Sequence, residues 1–455
     1  MRLRRPALMG LTSMGMLLGG LVLSSPSAVA EPLAAKSVGT QLPVQGFSAI
    51  ELDEGRGRLY LAQGASTALP LVVTDLDGVL QTEVSAVTGA TDVVLSDDHQ
   101  TVLVAQGDRV TTLDANTLVP SATYGAPAGA CVSQVEPAAD KIVGSFRNCG
   151  IGFSGLLIWS APDSPPVVYA SGIFDNLLVD ASPGGGARII AGDDGQAAKL
   201  SVIDVSGPTP VVVSSRNDVG DSPSDYALSP DGTEVVESVG YPYEHRAYTV
   251  PDLSDAGNYP SGRFATDAAW SGDGSTIAIG RSSTASNESD VVLYDKDGST
   301  PKYAVDFRDN DDLREGGLVV NATGTRVWAV TSDDPYQRTQ LLHSFGPSHP
   351  PKAPTTDIQI AVQTGSGKEK STGYVTVTWT SPVSKALTST GYQSFSLYAG
   401  TDGAAETYIG GAEMTAVGTY TVTYALPRGT TTFTARYTDS ENWYPAATVT
   451  ATLTR

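Results

Sequence analysis

Cysteine is nearly absent: 455 residues hold two, Cys131 and Cys149. Two cannot build the disulfide framework that replaces a core in small secreted domains, and without C-x-x-C spacing they do not suggest a redox pair. Histidine is almost as scarce. His99, His245, His343 and His349 stand in no H-x-H or H-x-x-x-H relation, so no zinc site follows from spacing, and packing or surface roles are expected for all four. The sequence also lacks a G-x-S-x-G elbow, a Walker loop and a dinucleotide fingerprint, which leaves no catalytic residue and no cofactor site to name. Positive charge is sparse as well: 28 Lys and Arg stand against 49 Asp and Glu, a formal net charge of -21. Such a surface repels nucleic acid and anionic lipid. Beyond the first thirty residues no apolar run is long enough to span a bilayer, so no membrane insertion is expected.

What is present begins with those thirty residues. Arg2, Arg4 and Arg5 precede an uncharged stretch from Ala7 to Leu23, and Ala28-Val29-Ala30 supplies a small-residue ending. This is the pattern of a cleaved secretory signal, so residues 1–30 are expected to be removed and the protein secreted. Losing three arginines and no acid takes the formal charge from -21 to -24. No cysteine lies near the cleavage point to accept lipid. In an exported chain the two cysteines are expected to pair. Between them the sequence reads as strand, turn (Pro137 to Asp140), strand, so the bond would staple a hairpin, a contribution of about 3 kcal/mol for such a loop.

One unit recurs seven times: an apolar-alternating strand, a turn rich in Ser, Asp, Asn, Pro and Gly, and a second alternating strand. Examples are Ala49 to Asp53 turning into Arg58 to Leu61, Tyr226 to Leu228 into Glu234 to Val236, and Ala268 to Trp270 into Thr276 to Ile279. The turn positions Asp53, Ser96, Glu136, Asp180, Ser229, Ser271 and Asn321 step by 43, 40, 44, 49, 42 and 50 residues. That spacing is the period of a propeller blade. A third strand follows each hairpin and a fourth follows six of them; the seventh runs into Gly346-Pro347-Ser348-His349-Pro350-Pro351. Residues 36–44, ahead of the first hairpin, have the placing of the missing strand. Pairing the two ends would close a seven-bladed ring over 31–346 and remove its exposed edges.

The motif S-P-D-G-T at Ser229 to Thr233, with S-G-D-G-S at Ser271 to Ser275 and S-D-D-H-Q at Ser96 to Gln100, resembles the WD40-like, or PD40, repeats of TolB-type and YncE-type bacterial propellers. The resemblance covers roughly 36–346. It implies the fold and little about function, because such propellers include lactonases, lyases, periplasmic binding proteins and extracellular scaffolds. The Trp-Asp and Gly-His pairs of true WD40 blades are missing, so an intracellular hub role does not carry over. The sialidase box is not matched either: Ile277 stands where an aromatic belongs.

After a Pro-rich linker at 347–354, alternation restarts without the blade period. Ile358 to Val362, Tyr374 to Trp379, Ser394 to Tyr398, Thr419 to Tyr424, Thr431 to Tyr437 and Thr448 to Leu453 read as half-buried strands of a sandwich over 355–455. Residues Phe433 to Ala446 resemble the ending of bacterial Ig-like repeat modules, with Asp439-Ser440-Glu441-Asn442 where that family commonly has Gly-Asp before the aromatic. The overall expectation is an all-β chain, a seven-bladed β-propeller followed by an Ig-like β-sandwich. Residues 351–455 carry seven bases and seven acids, so the acidic excess lies on the N-terminal part.

Two stretches hold chemistry worth weighing. The run with Asp306, Asp309, Asp311 and Asp312 offers oxygens of the kind calcium takes, yet it lacks the D-x-D-x-D-G spacing and distal Glu of an EF-hand loop. A solvated loop is the leading expectation there and calcium the alternative. The stretch Tyr241 to Tyr248 could present Tyr241 and Tyr243 to a carbohydrate, or place Tyr248 in the core of a third strand. Together these features favour a secreted, non-catalytic binding or scaffold protein with an extracellular ligand, carbohydrate or protein. The alternative is a propeller hydrolase or lyase, acting on a lactone or polysaccharide, whose acids converge on the central channel from separate blades.

Overall fold

The structure is a computed structural model and describes residues 34–170, 177–182, 186–195, 198–217, 219–241, 244–282, 289–308, 311–332, 339–351, 357–365, 371–380, 393–413, 418–439 and 446–455. These residues are all-β, arranged in nine sheets. No helix among them is long and apolar enough to cross a membrane.

A four-stranded antiparallel meander recurs along the chain. The first is Ala49–Asp53, Arg58–Ala62, Pro70–Asp75 and Leu80–Thr88, hydrogen-bonded in chain order. The same order repeats over 92–125, 130–170, 177–217, 221–259 and 265–306. Residues 312–345 supply three strands of a further sheet, and its fourth is Thr40–Gln41, antiparallel to Gln340–Phe345. The strand expected across 36–44 is therefore shorter than its alternation suggested. Just before it, Ala35–Lys36 adds a parallel fifth strand to the sheet of 265–306, which the sequence did not foretell.

The first strands of these sheets are Ala49–Asp53, Asp92–Leu95, Ala130–Ala138, Leu177–Ala181, Asp221–Leu228, Ala265–Trp270 and Asp312–Val320. Each touches the next, and the last touches the first, so they form a closed inner ring. Burial follows from that arrangement. There is no single core; a separate apolar cluster fills each junction between neighbouring sheets, such as Val179, Ile189 and Ile203 with Ala138, Val143 and Ile158. Across the closing seam, Leu59 and Leu61 pack with Trp328, Val330 and Leu342.

The recurrent turn motif is explained by its hydrogen bonds. Buried Ser229 Oγ donates to Asp231 Oδ1 (2.7 Å) and accepts the N–H groups of Thr233 (3.2 Å) and Glu234 (3.0 Å). Ser271 with Asp273, and Ser96 with Asp98, repeat the scheme, and Asn321 Oδ1 takes the N–H groups of Thr325 and Arg326. The fourth turn residue needs positive φ: Gly232 (67°), Gly274 (69°) and Gly324 (66°) supply it at no steric cost, whereas His99 (56°) holds it as a non-glycine. Two of the repeat positions read as turns lie inside strands instead: Glu136 within Ala130–Ala138 and Asp180 within Leu177–Ala181.

The expected disulfide is present. Cys131 and Cys149 join with Cα atoms 5.7 Å apart, closing the hairpin of Ala130–Ala138 and Lys141–Asn148.

Beyond residue 356 two sheets share one apolar core, three strands (Asp357–Thr364, Thr372–Thr380, Gly418–Ala425) against four (Thr407–Glu413, Gln393–Thr401, Thr430–Asp439, Ala447–Thr454). Seven strands are found where the alternation gave six. The added one, Thr407–Glu413, escapes the pattern because Gly410 and Gly411 interrupt it. A Cβ at Gly410 would lie 2.7 Å from the Tyr420 hydroxyl, and one at Gly411 2.4 Å from the Phe395 carbonyl oxygen, so both positions need glycine.

Candidate functional site: the inner ring of carboxylates

Each inner strand is an edge strand, so half of its backbone polar groups point away from its own sheet and need partners. On six of the seven inner strands the sequence meets this need with one acidic or amide side chain reaching to the next sheet. Glu51 Oε1 accepts the N–H of Leu95 (3.2 Å), Asp92 Oδ2 that of Val135 (2.8 Å), and Gln134 Oε1 that of Val179 (2.9 Å). Asp180 Oδ2 accepts from Leu228 (2.5 Å), Asp225 Oδ2 from Ala268 (2.9 Å) and Asp267 Oδ2 from Gly317 (2.7 Å). Hydroxyls add bonds of opposite polarity: Ser48 donates to the carbonyl of Ala90, just ahead of the following sheet, and Thr91 and Ser224 donate to those of Val132 and Ala265 within it.

The closing junction works differently. Glu54, in the first turn, accepts the N–H of Ala322 (3.0 Å) and Asn321 Nδ2 (3.4 Å) from the last, while Trp328 Nε1 donates to the Leu76 carbonyl (2.8 Å).

The ring concentrates negative charge where water is scarce. Burial raises Glu51 to about 8, Asp92 to about 6, Asp180 to about 8 and Asp225 to about 6. Burial also holds Glu136 and Asp267 well above the usual carboxylate range. Glu136 further feels the charges of Asp180, Asp92 and Glu51, which belong to three other sheets. Asp225 and Asp267 hydrogen-bond to each other, so one proton serves two carboxyls. Glu136 accepts none of these inter-sheet bonds; Gln134, two residues earlier, takes that junction. Chemically the ring can link sheets and hold protons. Among the described residues no group of three or more His, Cys, Asp or Glu is arranged to hold a metal ion.

The residues singled out from the sequence are scattered. Asp311 spends both carboxylate oxygens on the buried Arg308 (2.9 and 3.2 Å). Asp312 accepts from Ser282 Oγ (3.1 Å), Asp306 ends the strand Pro301–Asp306, and Asp309 lies outside the described residues. Tyr241 is exposed at a strand end, Tyr243 lies outside the described residues, and Tyr248 is buried. Two histidines are core groups. His245 Nδ1 meets Ser261 Oγ (2.6 Å) and its Nε2 the Asp267 carbonyl (3.2 Å), while His343 sits between Ser37 and Thr331 hydroxyls (2.8 and 2.9 Å) against Phe307. Burial lowers both to about 3, which keeps them neutral.

Sequence reasoning missed the ring because its members stand about one per repeat. The signal was clear at two of them, Asp92 and Asp180, which are solitary polar residues on apolar inner strands; Glu51, Gln134, Asp225 and Asp267 share their strands with other polar residues, among them Asp53, Glu136, Asp221 and Thr266.

No family model matches the chain, and no curated protein matches it. Solved structures do. The β-propeller domain of Cps50 (Swd1) from Myceliophteria thermophila is 12% identical, covers 68% of this chain and 100% of its own, and gives a TM-score of 0.52. A chain of the mitotic checkpoint complex is 13% identical, covers 73% of this chain and 98% of its own, and gives 0.52 as well. At such identities the likeness shows the fold: repeated four-stranded sheets of the WD40-type β-propeller.

Proposed function

We propose that this protein is a secreted, non-catalytic binding protein. In this reading it is a seven-bladed propeller of bacterial type over residues 31–346, joined by the linker 347–354 to an Ig-like sandwich over 355–455, and its propeller faces hold a protein partner. One observation carries the non-catalytic reading: five carboxylates and one glutamine of the inner ring are engaged by backbone N–H groups of the next sheet. Groups committed in this way hold the ring together and leave little for substrate. Secretion is supported by the N-terminal pattern ending at Ala30 and by a disulfide of the kind that persists in oxidising compartments. A protein partner is supported by the fold shared with a chain of the mitotic checkpoint complex, itself an assembly.

The test uses full-length protein expressed with its own N-terminus. N-terminal sequencing of the material in the medium should begin at Glu31. The purified protein, incubated with a panel of lactones and polysaccharides, should open no lactone and release no chain ends. Turnover that disappears in Glu136→Gln, the inner-ring acid outside the inter-sheet bonds, would overturn the non-catalytic reading in favour of a hydrolase or lyase.

A further inference from the structure

The four-stranded sheet of the C-terminal part turns one face to its core, through Phe395, Leu397, Phe433, Ala435 and Tyr437, and the other to solvent. Cross-strand register places a row on the outer face: Tyr408 opposite Tyr398, Tyr398 opposite Thr434, Thr434 opposite Thr450. With strands about 4.8 Å apart, the row runs roughly 14 Å across the sheet.

At one end Tyr408 is 59% exposed, a large aromatic left in water. It is nevertheless held, because its ring meets Tyr398 edge to face with centroids 5.8 Å apart. Arg436 also lies over the Tyr398 ring, its guanidinium carbon 4.6 Å from the centroid. Glu406 pairs with Arg436 and accepts from Thr434 Oγ1 (2.6 Å). At Gly411, opposite Ser396, a Cβ would come within 3.3 Å of the Tyr408 hydroxyl, so its absence leaves the surface low beside that ring.

We propose that this face binds a neutral, hydroxyl-rich polysaccharide. An exposed, pre-oriented tyrosine offers its ring to the C–H face of a sugar, and ordering it costs little because Tyr398 already fixes it. The carboxylate and guanidinium beside it can accept from and donate to neighbouring sugar hydroxyls, with Thr450 extending the polar row. Charge selects the occupant. Among the described residues of the face the cation, Arg436, is paired with Glu406, so the row offers no free positive charge to attract a polyanion, and the rest of the chain is strongly acidic. The inference concerns a different surface from the propeller faces and stands or falls independently of the function proposed above.

Native affinity electrophoresis of the full chain tests it, with soluble mannan, laminarin, dextran and hydroxyethylcellulose cast in separate gels. At least one polymer should retard the protein. Tyr408→Ala should weaken that retardation about ten-fold, and Tyr408→Trp should keep it. Circular dichroism and the melting temperature of Tyr408→Ala should match the parent, since the side chain is exposed. A parent protein retarded by none of the four polymers overturns the proposal, and so does a Tyr408→Ala variant retarded as strongly as the parent.

Discussion

Asp225 and Asp267 share a hydrogen bond between their carboxyls, and each also receives a backbone N–H from the following sheet, Ala268 to the first and Gly317 to the second. Two acids in contact, deep in a fold, are stable together only while a proton stays with them. Glu51 and Asp180, each raised to about 8 by burial, also hold a proton at their junctions.

Stability should therefore fall as pH rises. A carboxyl whose pKa is raised in the folded state holds its proton more tightly there than in the unfolded chain. Its contribution is complete below about pH 4 and is lost as pH climbs through the folded value. Glu51, Asp180, Glu237 and Asp290, each raised to about 8 by burial, spread that loss from about pH 4 up to about pH 8. His245 and His343 act in the opposite sense. Lowered to about 3, they support the fold above about pH 6.5 and oppose it as pH falls below that. Calorimetry should find a melting temperature higher at pH 6 than at pH 8.5. An equal or higher value at pH 8.5 would show that the ring acids are ionised in the folded protein.

If these side chains act as links between sheets, oxygen matters more than charge. Asp180→Ala leaves the Leu228 N–H without its acceptor and should cost about 1–3 kcal/mol. Asp180→Asn keeps one accepting oxygen and removes a costly ionisation, so at pH 8 it should lie within about 1 kcal/mol of the parent. Urea unfolding of the two variants decides the matter; equal losses would mean that shape alone is at stake.

The turn motif is a second place where a small polar side chain does structural duty. Ser229→Ala deletes one donor and the acceptor of two N–H groups at a buried position, with an expected loss of about 1–2 kcal/mol. Chemical denaturation of this single variant provides the check, and a change below about 0.3 kcal/mol would assign the turn to Gly232 alone.

The disulfide closes a short loop within one sheet, its two ends separated by 18 positions in the sequence. Cys131→Ser with Cys149→Ser should lower stability by about 3 kcal/mol, and reductant should do the same to the parent but nothing to the variant. Melting curves with and without dithiothreitol make the comparison.

Much of this architecture was readable in advance, for physical reasons. Turn chemistry and two-residue alternation are local, so the hairpins around Ser96, Ser229, Ser271 and Asn321, and the stapled hairpin of Cys131 and Cys149, could be placed from the chain alone. The N-terminal strand could be placed only roughly. Its partners lie some 300 residues away, and nothing local in Val38 to Val44 indicates that Thr40 and Gln41 alone would pair. The strand Thr407–Glu413 was hidden by glycines whose reason is the Tyr420 hydroxyl and the Phe395 carbonyl of other strands. The inner ring was hidden for a related reason: an acid on an apolar strand looks like an interruption until the neighbouring sheet that donates to it is in view. Glu136 and Asp180 were even mistaken for turns on that account.

The pairing of Thr40 with Leu342, reinforced by Ser37 against His343, also sets an order of events. A chain made from its N-terminus holds the strand Thr40–Gln41 in hand until some 300 residues have followed, because the surface that receives it is the last of the ring to be synthesised. Sheets completed early can form their own hairpins, yet the circle stays open, with a sheet edge exposed at the seam, until residue 345 arrives. A message broken or a ribosome stalled short of that point leaves an open arc with nothing to cover its end, which marks truncated chains for aggregation or clearance.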